Sequence, residues 1–353
     1  MFRETPFFKE ANSINELSDV DALRQLFGPI NKIEKRALKT SGFSGSAHEK
    51  IVLDLADGTT ISLILKIIIP AQDMTIWRSG NIPNREVRLL DCIDMAEVWN
   101  IFEPPYIAFA LEMEKTAVLM FDVSSYLFPD ARTPIDASHE HLILRSLARM
   151  HAYFWGHTVL SKPWLAKQEI FFSFLGPLAA EEERKAGRQH AIFANVDKGW
   201  NLVFRFLPAE LSSFILNFPI KKITSGLSKT LIHGDSKIAN YAIMPNEKVA
   251  AFDWTMVAAA SPACEIGWYI AVNASRLSTS KENILNRYRE LLQNELGRII
   301  DNAEWERMED LAVMTGAMTL LWNKALNLEK NIAGAKEEWR WWVDNLRRCD
   351  KYR

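Results

Sequence analysis

The sequence predicts an α+β protein in two parts. A small antiparallel-sheet part is expected over 1–121 and a larger, mainly helical part over 122–353. Three observations carry this. Strand-like runs gather in the first third, around an Asp57-Gly58 pair that signals a hairpin turn. Helical periodicity dominates from residue 137 onward. At 353 residues the chain also exceeds what one small core needs, which suits two lobes.

Each element has its own signal. Ile14, Leu17, Val20, Leu23 and Leu26 recur at three-residue steps, so 13–27 reads as one amphipathic helix. Ser13 is its expected cap, with Glu16 at capping-box spacing. Beyond Gly28-Pro29 the character turns to strands, at Lys35 to Lys39, Ile51 to Leu55 and Thr59 to Ile69. After Pro83, the residues Val87, Leu90, Ile93 and Met95 form a helical stripe. Pro104-Pro105 interrupts the chain, and Ala108 to Met113 and Thr116 to Val123 read as two further strands. Leu142, Leu144, Leu147, Ala148, Met150 and Phe154 then line a helix running to about His157. The segment 160–228 is helical in tendency and rich in aromatic residues, among them Trp164, Phe171, Phe172, Phe174, Phe193, Trp200, Phe204 and Phe206. Helices are expected near 280–299, 303–327 and 331–349. The last carries an apolar stripe of Trp339, Trp342, Val343 and Leu346, with Trp341 off it.

Composition bounds the function. Hydrophobic residues make up 48% and charged residues 24%, as in globular chains. A net charge of −2 gives no electrostatic case for nucleic acid or an anionic membrane as main partner. Cys92, Cys264 and Cys349 are far apart, so neither a disulfide framework nor a zinc site is expected. No apolar run approaches the ~18 residues of a membrane span. The opening residues lack the charged and apolar regions of a secretory signal, and a reducing cytoplasm is the expected setting.

The stretch from Leu231 to Asp253 is the chemical centre of the chain. Tyr241 to Met244 and Val249 to Phe252 are apolar runs joined by Pro245-Asn246-Glu247-Lys248, a turn by composition. In an antiparallel pair Asn240, before the first run, and Asp253, after the second, come side by side. Asp235 lies five residues before Asn240, in a loop opening with His233-Gly234. An amide oxygen and a carboxylate suit Mg²⁺, which completes its shell with water and substrate phosphates. Asp235, free of the metal, is placed to orient and deprotonate an attacking hydroxyl. Taken singly, each residue also reads as a turn or cap residue. Together they point to a nucleotide-metal site.

Upstream, Lys66 sits on the second strand of the Asp57-Gly58 hairpin, with Ile64 and Ile68 on its own face. A lysine set among apolar residues needs a carboxylate or a phosphate. An edge lysine that deters aggregation is the other reading. One strand earlier, the small-residue loop Gly42 to Ser46 offers backbone N–H groups to phosphates. Ordinary turns produce the same Gly-x-x-Gly spacing.

His233-Gly-Asp-Ser-Lys-Ile-Ala-Asn240, followed by Phe252-Asp253-Trp254, resembles the signature of the aminoglycoside phosphotransferase and choline kinase-like superfamily. Those are small-molecule kinases with a bilobal, protein-kinase-like fold. The resemblance implies that Asp235 is the catalytic base and that Asn240 and Asp253 are metal ligands. It implies a phosphate-covering role for Gly42, Ser44, Gly45 and Ser46, a phosphate-neutralising role for Lys66, and a Lys66 partner in Glu86, which otherwise reads as a surface residue favouring a helix N-terminus. Met120 and Phe121 would read the adenine edge through their backbone; plain core residues are the alternative. Lys237, where the family more often has His, matches a protein-kinase lysine near the transferred phosphoryl group; a solvated loop lysine is the other reading. Leu147 to Trp155 resembles a helix of the same superfamily, with His151 a core residue under the catalytic loop. In relatives 160–228 forms the acceptor wall. Glu181-Glu182-Glu183 either attracts a cationic acceptor there or is a solvated helix face. Glu265 stands where relatives carry a structural Asp.

The expected function is therefore phosphorylation of a hydroxyl on a small molecule, with ATP as donor, GTP left open, and Mg²⁺ as cofactor. The alternative is a kinase-shaped nucleotide-binding module without turnover. The aromatic content of 160–228 leans toward an apolar acceptor, whose identity the sequence does not reveal.

Overall fold

The computed structural model describes residues 2–5, 7–38, 45–80, 82–129 and 132–352. The chain divides into two compact units, one of Met1–Asp130 with Ala239–Met256, the other of Ala131–Ile238 with Val257–Arg353. The α+β class holds, with a small, mainly antiparallel sheet in the first unit and a mainly helical second unit.

Among its described residues the first unit has a seven-stranded sheet. Its strands are β1 (Arg3–Glu4), β2 (Lys9–Ala11), β3 (Ile30–Leu38), β4 (Ala47–Leu55), β5 (Thr60–Ile68), β6 (Tyr106–Leu111) and β7 (Thr116–Phe121). Their order is β1-β2-β6-β7-β5-β4-β3, antiparallel throughout except where β2 pairs with β6. The β4–β5 turn places Gly58 at φ +88°, a conformation other residues adopt only with strain. Leu63 and Leu65 of β5 join Ile51, Leu53, Ala117 and Leu119 in a buried cluster on one face. The period of two then turns Ile64, Lys66 and Ile68 to the other face.

The helices of this unit are α1 (Val20–Phe27), α2 (Met74–Arg78), α3 (Arg85–Leu90) and α4 (Glu97–Ile101). The single helix expected over 13–27 is broken. Asp19 is extended at ψ 139°, and its carboxylate caps α1 through the N–H groups of Asp21 and Ala22. Asn15–Ser18 forms a separate 3-10 turn. Ser13 Oγ does accept from Glu16 N at 3.3 Å, but the Glu16 carboxylate accepts from Asn12 N instead of closing a capping box. The stripe expected through Ile93 also stops short. Because α3 ends at Leu90, Ile93 is 56% exposed while Met95 is buried.

The second unit holds α5 (Ala137–Tyr153), α6 (Ile170–Ser173), α7 (Ala179–Lys185), α8 (Ile192–Phe206), α9 (Ala209–Leu216) and α10 (Ile220–Thr224). After these come α11 (Pro262–Val272), α12 (Lys281–Leu296), α13 (Asn302–Glu329) and α14 (Ala335–Cys349). In α5 it is Ile143, with Leu144, Leu147, Ala148 and Met150, that is buried; Leu142 is only half-buried. In α14 Trp342, Val343 and Leu346 are buried and Trp339 is half-buried. Trp341, off the stripe, donates its indole N–H to Glu282.

Trp164, Phe171, Phe172, Phe174, Phe193 and Trp200 are all buried. Phe204 and Phe206 are half-buried. Most of these aromatic residues thus pack the core and do not by themselves indicate an apolar acceptor. The glutamate run divides. Glu181 pairs with Lys185 on the exposed face of α7, whereas Glu183 is buried and takes Arg188 at 2.6 and 2.8 Å. No helix among the described residues is long and apolar enough to cross a membrane.

Candidate functional site

In the first unit the site is built around Lys66. Its Nζ lies 2.7 Å from Glu86 Oε2 and 2.8 Å from Asp253 Oδ1. Lys66 is only 5% exposed and Glu86 only 1%. Burial pulls the Lys66 ammonium toward neutrality, but the Asp253 and Glu86 carboxylates outweigh it and hold its pKa above the ordinary lysine range. Glu86 Oε1 accepts from the Tyr106 hydroxyl at 2.7 Å and from Asp253 N at 3.2 Å. Burial, then the Glu86 charge, pushes the Tyr106 phenol well up, so it stays a donor. The edge-lysine reading of Lys66 fails, because β5 lies between β4 and β7.

The hairpin Tyr241–Ile243 with Val249–Ala251 forms as the sequence indicates, with Tyr241 opposite Ala251 and Ile243 opposite Val249. Glu247 turns the chain at φ 60°. Phe252 N donates to Asn240 O at 3.2 Å, which sets Asn240 beside the start of Phe252-Asp253. Asn240 is buried. Asp253 is left-handed at φ 65°, a conformation that Asp tolerates better than most residues. Its Oδ1 also accepts from Thr255 Oγ1 at 3.0 Å. Trp254 is fully buried against Trp99 and Phe102, which anchors this end of the hairpin.

Gly42 and Ser44 lie outside the described residues. At Gly45, φ is +76°, and a Cβ there would come 2.8 Å from the Gln72 carbonyl oxygen. Only glycine fits this close approach. The Ser46 carbonyl lies 3.2 Å from His48 Nδ1.

Met120 is buried and Phe121 is 45% exposed, so they are not both core. Phe121 N donates to Pro105 O at 2.8 Å and Asp122 N to Ser62 O at 2.9 Å. These two N–H groups are thus engaged within the sheet region. Burial pushes the Asp122 carboxyl up, yet hydrogen bonds from Lys50, Ser124 and Ser62 bring it down to about 2.

In the second unit the loop from His233 to Ile238 follows the strand Thr230–Ile232 and is held from α11. Glu265, fully buried, accepts from His233 N, from Gly234 N at 3.1 Å and from Ser236 Oγ at 2.6 Å. Burial raises the Glu265 carboxyl, but His151, His233 and Ser236 outweigh it and the net shift is downward. His151 is itself fully buried, its Nδ1 2.6 Å from the Tyr288 hydroxyl. Its Nε2 lies 3.8 Å from Glu265 Oε2. Asp235 Oδ1 accepts from the Trp268 indole N–H at 3.0 Å, and Oδ2 from Lys237 Nζ at 2.8 Å. Asn273, capping the C-terminus of α11, accepts from Ile238 N at 2.9 Å and donates to Ser236 O at 3.0 Å.

Lys66, Glu86, Asn240 and Asp253 thus belong to the first unit, and Asp235 and Lys237 to the second. Sequence reasoning gave no role to Trp268, Asn273 or Tyr106. The one available signal for the first was its place three residues after Glu265, on the same helical face.

No family profile matches this chain, and no curated protein does. Solved structures similar to it include a choline kinase from Streptococcus pneumoniae, at 12% identity and TM-score 0.46, over 92% of this chain and 96% of that one. Plasmodium vivax ethanolamine kinase is similar at 13% identity and TM-score 0.49, over 95% and 88%. An aminoglycoside phosphotransferase from Streptomyces rimosus, solved with ADP and streptomycin, is similar at 14% and 0.43, over 79% and 94%.

Proposed function

We propose that this protein transfers the γ-phosphoryl group of ATP to a hydroxyl group of a small molecule, in a cytoplasmic setting. The observation that carries the reading is the buried ammonium of Lys66 held between Glu86 and Asp253. Lys66 and Glu86 are buried and Asp253 is half-buried. Taking such charges out of water costs stability that their pairing need not repay, so the cluster is weak as a device for packing alone. A lysine poised between two carboxylates is ready to exchange one of them for phosphate oxygens.

In this reading Lys66, oriented by Glu86, neutralises the α- and β-phosphates. Gly42, Ser44, Gly45 and Ser46 cover the phosphates. Met120 and Phe121 border the base. With the N–H groups of Phe121 and Asp122 already engaged, Phe121 would offer its carbonyl to the adenine edge. Asp235 orients the acceptor hydroxyl and takes its proton, and Lys237 accompanies the transferred group.

Asn240 and Asp253 fit a magnesium ion, since one amide and one carboxylate oxygen are a hard donor pair. No group of three His, Cys, Asp or Glu among the described residues could hold a metal ion, so phosphates and water would complete the shell. Bound there, Mg²⁺ would offset charge on the phosphate oxygens.

The test is a thermal-shift titration with ATP, with and without Mg²⁺, on the wild-type protein and on Asp253→Ala. Mg-dependent stabilisation by ATP is expected in the first and its loss in the second. Equal shifts in both proteins would remove Asp253 as a ligand. Absence of any ATP shift would remove the function. An ATP shift without turnover would leave a nucleotide-binding module.

A further inference from the structure

The helix α11 meets the Asp235 loop with three side chains, Glu265, Trp268 and Asn273. Glu265 and Asn273 fix the backbone on either side of Asp235. Trp268 alone of the three touches the Asp235 carboxylate, and it does so through one oxygen, Oδ1. We propose, on the phosphotransfer reading above, that Trp268 is a positioning residue. Its indole N–H fixes the plane of the Asp235 carboxylate through Oδ1 and assigns Oδ2 as the oxygen that takes the acceptor proton.

The argument rests on which partner can move. A carboxylate turns easily about its last torsion, so a loop aspartate needs an external anchor to present one oxygen consistently. Lys237 is a poor anchor. It sits two residues away on the same loop, its side chain is 35% exposed, and its ammonium rides on a flexible four-carbon stem. Trp268 has two side-chain torsions, and its indole N–H only donates.

The helix that carries Trp268 is itself locked. A Cβ on Gly267 would lie 2.2 Å from the Ala312 carbonyl oxygen of α13. One at Gly316 would lie 2.8 Å from the Gly267 carbonyl oxygen. The two helices therefore cross at backbone contact, with no space for α11 to shift toward α13. Oδ1 is held by a rigid donor and Oδ2 by a mobile one.

In the transfer step the acceptor oxygen bonds to the γ-phosphorus, and the bond from that phosphorus to the bridging oxygen of ADP breaks. The hydroxyl proton passes to Oδ2, and the electron pair of the broken bond leaves with ADP. Lys237 can swing from Oδ2 toward the transferred group, whereas Trp268 stays.

The experiment uses the full chain with Mg-ATP and water as the acceptor, read as ADP release. Trp268→Phe removes the donor. Trp268→benzothienylalanine, in which sulfur replaces the indole N–H, removes it at nearly constant shape and serves if Trp268→Phe does not fold. Loss of one hydrogen bond to a charged group predicts a fall in kcat of roughly tenfold to a hundredfold in both variants. The KM for ATP and the Mg-ATP thermal shift are expected to stay at wild-type values. The indole N–H resonance of Trp268 is expected to move in Asp235→Asn. An unchanged kcat in the benzothienyl variant, or a change confined to KM, would overturn the proposal. If neither water nor any compound of a hydroxyl panel supports Mg-dependent turnover of the wild-type protein, the phosphotransfer reading fails first and takes this proposal with it. If the wild-type protein turns over and the benzothienyl variant matches it, only the role of Trp268 fails.

Discussion

Lys66 Nζ lies 2.8 Å from Asp253 Oδ1, which joins β5 to a residue 187 positions later in the chain. Asp253 also donates its backbone N–H to Glu86, so the three residues form a closed set. Lys66→Ala would leave Glu86 buried without its cation. Breaking a buried pair from one side costs about 3–5 kcal/mol. We expect a loss of that order in urea unfolding, together with loss of ATP binding. Wild-type stability in this variant would mean that the cluster contributes nothing to the fold.

Asp73 supplies a pH-dependent test. Its Oδ1 caps α2 by accepting from Thr75 N at 2.8 Å and Ile76 N at 3.3 Å. Its Oδ2 is buried with no hydrogen-bond partner among the described residues. Burial pushes the carboxyl up to about 6, against the pull of the Ile76 N–H and Lys66. A carboxyl whose folded pKa is raised weakens the fold in its ionised form. That penalty is absent below the unfolded value near 4, grows as pH rises through the interval to 6, and is complete above it. Asp73→Asn keeps the capping oxygen and carries no charge. We expect it to raise stability near pH 7 by about 1–3 kcal/mol and to flatten the fall between pH 4 and 6. Parallel pH profiles of the two proteins in urea unfolding would contradict this.

Gly267→Ala tests the α11–α13 crossing. The added methyl group would meet the Ala312 backbone, which cannot swing aside as a side chain does. Overpacking of this kind costs about 1–3 kcal/mol, and here the backbone contact places it at the upper end. The displaced helix would also move Glu265, Trp268 and Asn273, so ADP release is expected to fall along with the melting temperature. A variant that melts and turns over like the wild-type protein would show that the crossing has slack.

Local chemistry decided how much could be read from the sequence. The hairpin from Tyr241 to Ala251 was legible because its turn residues and two apolar runs are consecutive. The Asp57-Gly58 turn was legible for the same reason. The helix over 13–27 was misread because its apolar spacing continues through Asp19, while the capping carboxylate of that residue stops one turn and starts another. Ile93 kept the period of a helix that had already ended at Leu90. The aromatic run of 160–228 was ambiguous because a buried Phe and a substrate-facing Phe look alike in sequence. The holding of Asp235 was invisible, since Trp268 and Asn273 reach the loop from more than 30 residues away.

The most direct measurement is acceptor-dependent ADP release across a panel of hydroxyl compounds, run in parallel on the wild-type protein and on Asp235→Ala. Release that one compound stimulates in the wild-type protein, and that Asp235→Ala abolishes while keeping its Mg-ATP thermal shift, is the predicted result. Stimulated release that survives in Asp235→Ala, or a wild-type protein that no hydroxyl compound stimulates, would contradict it.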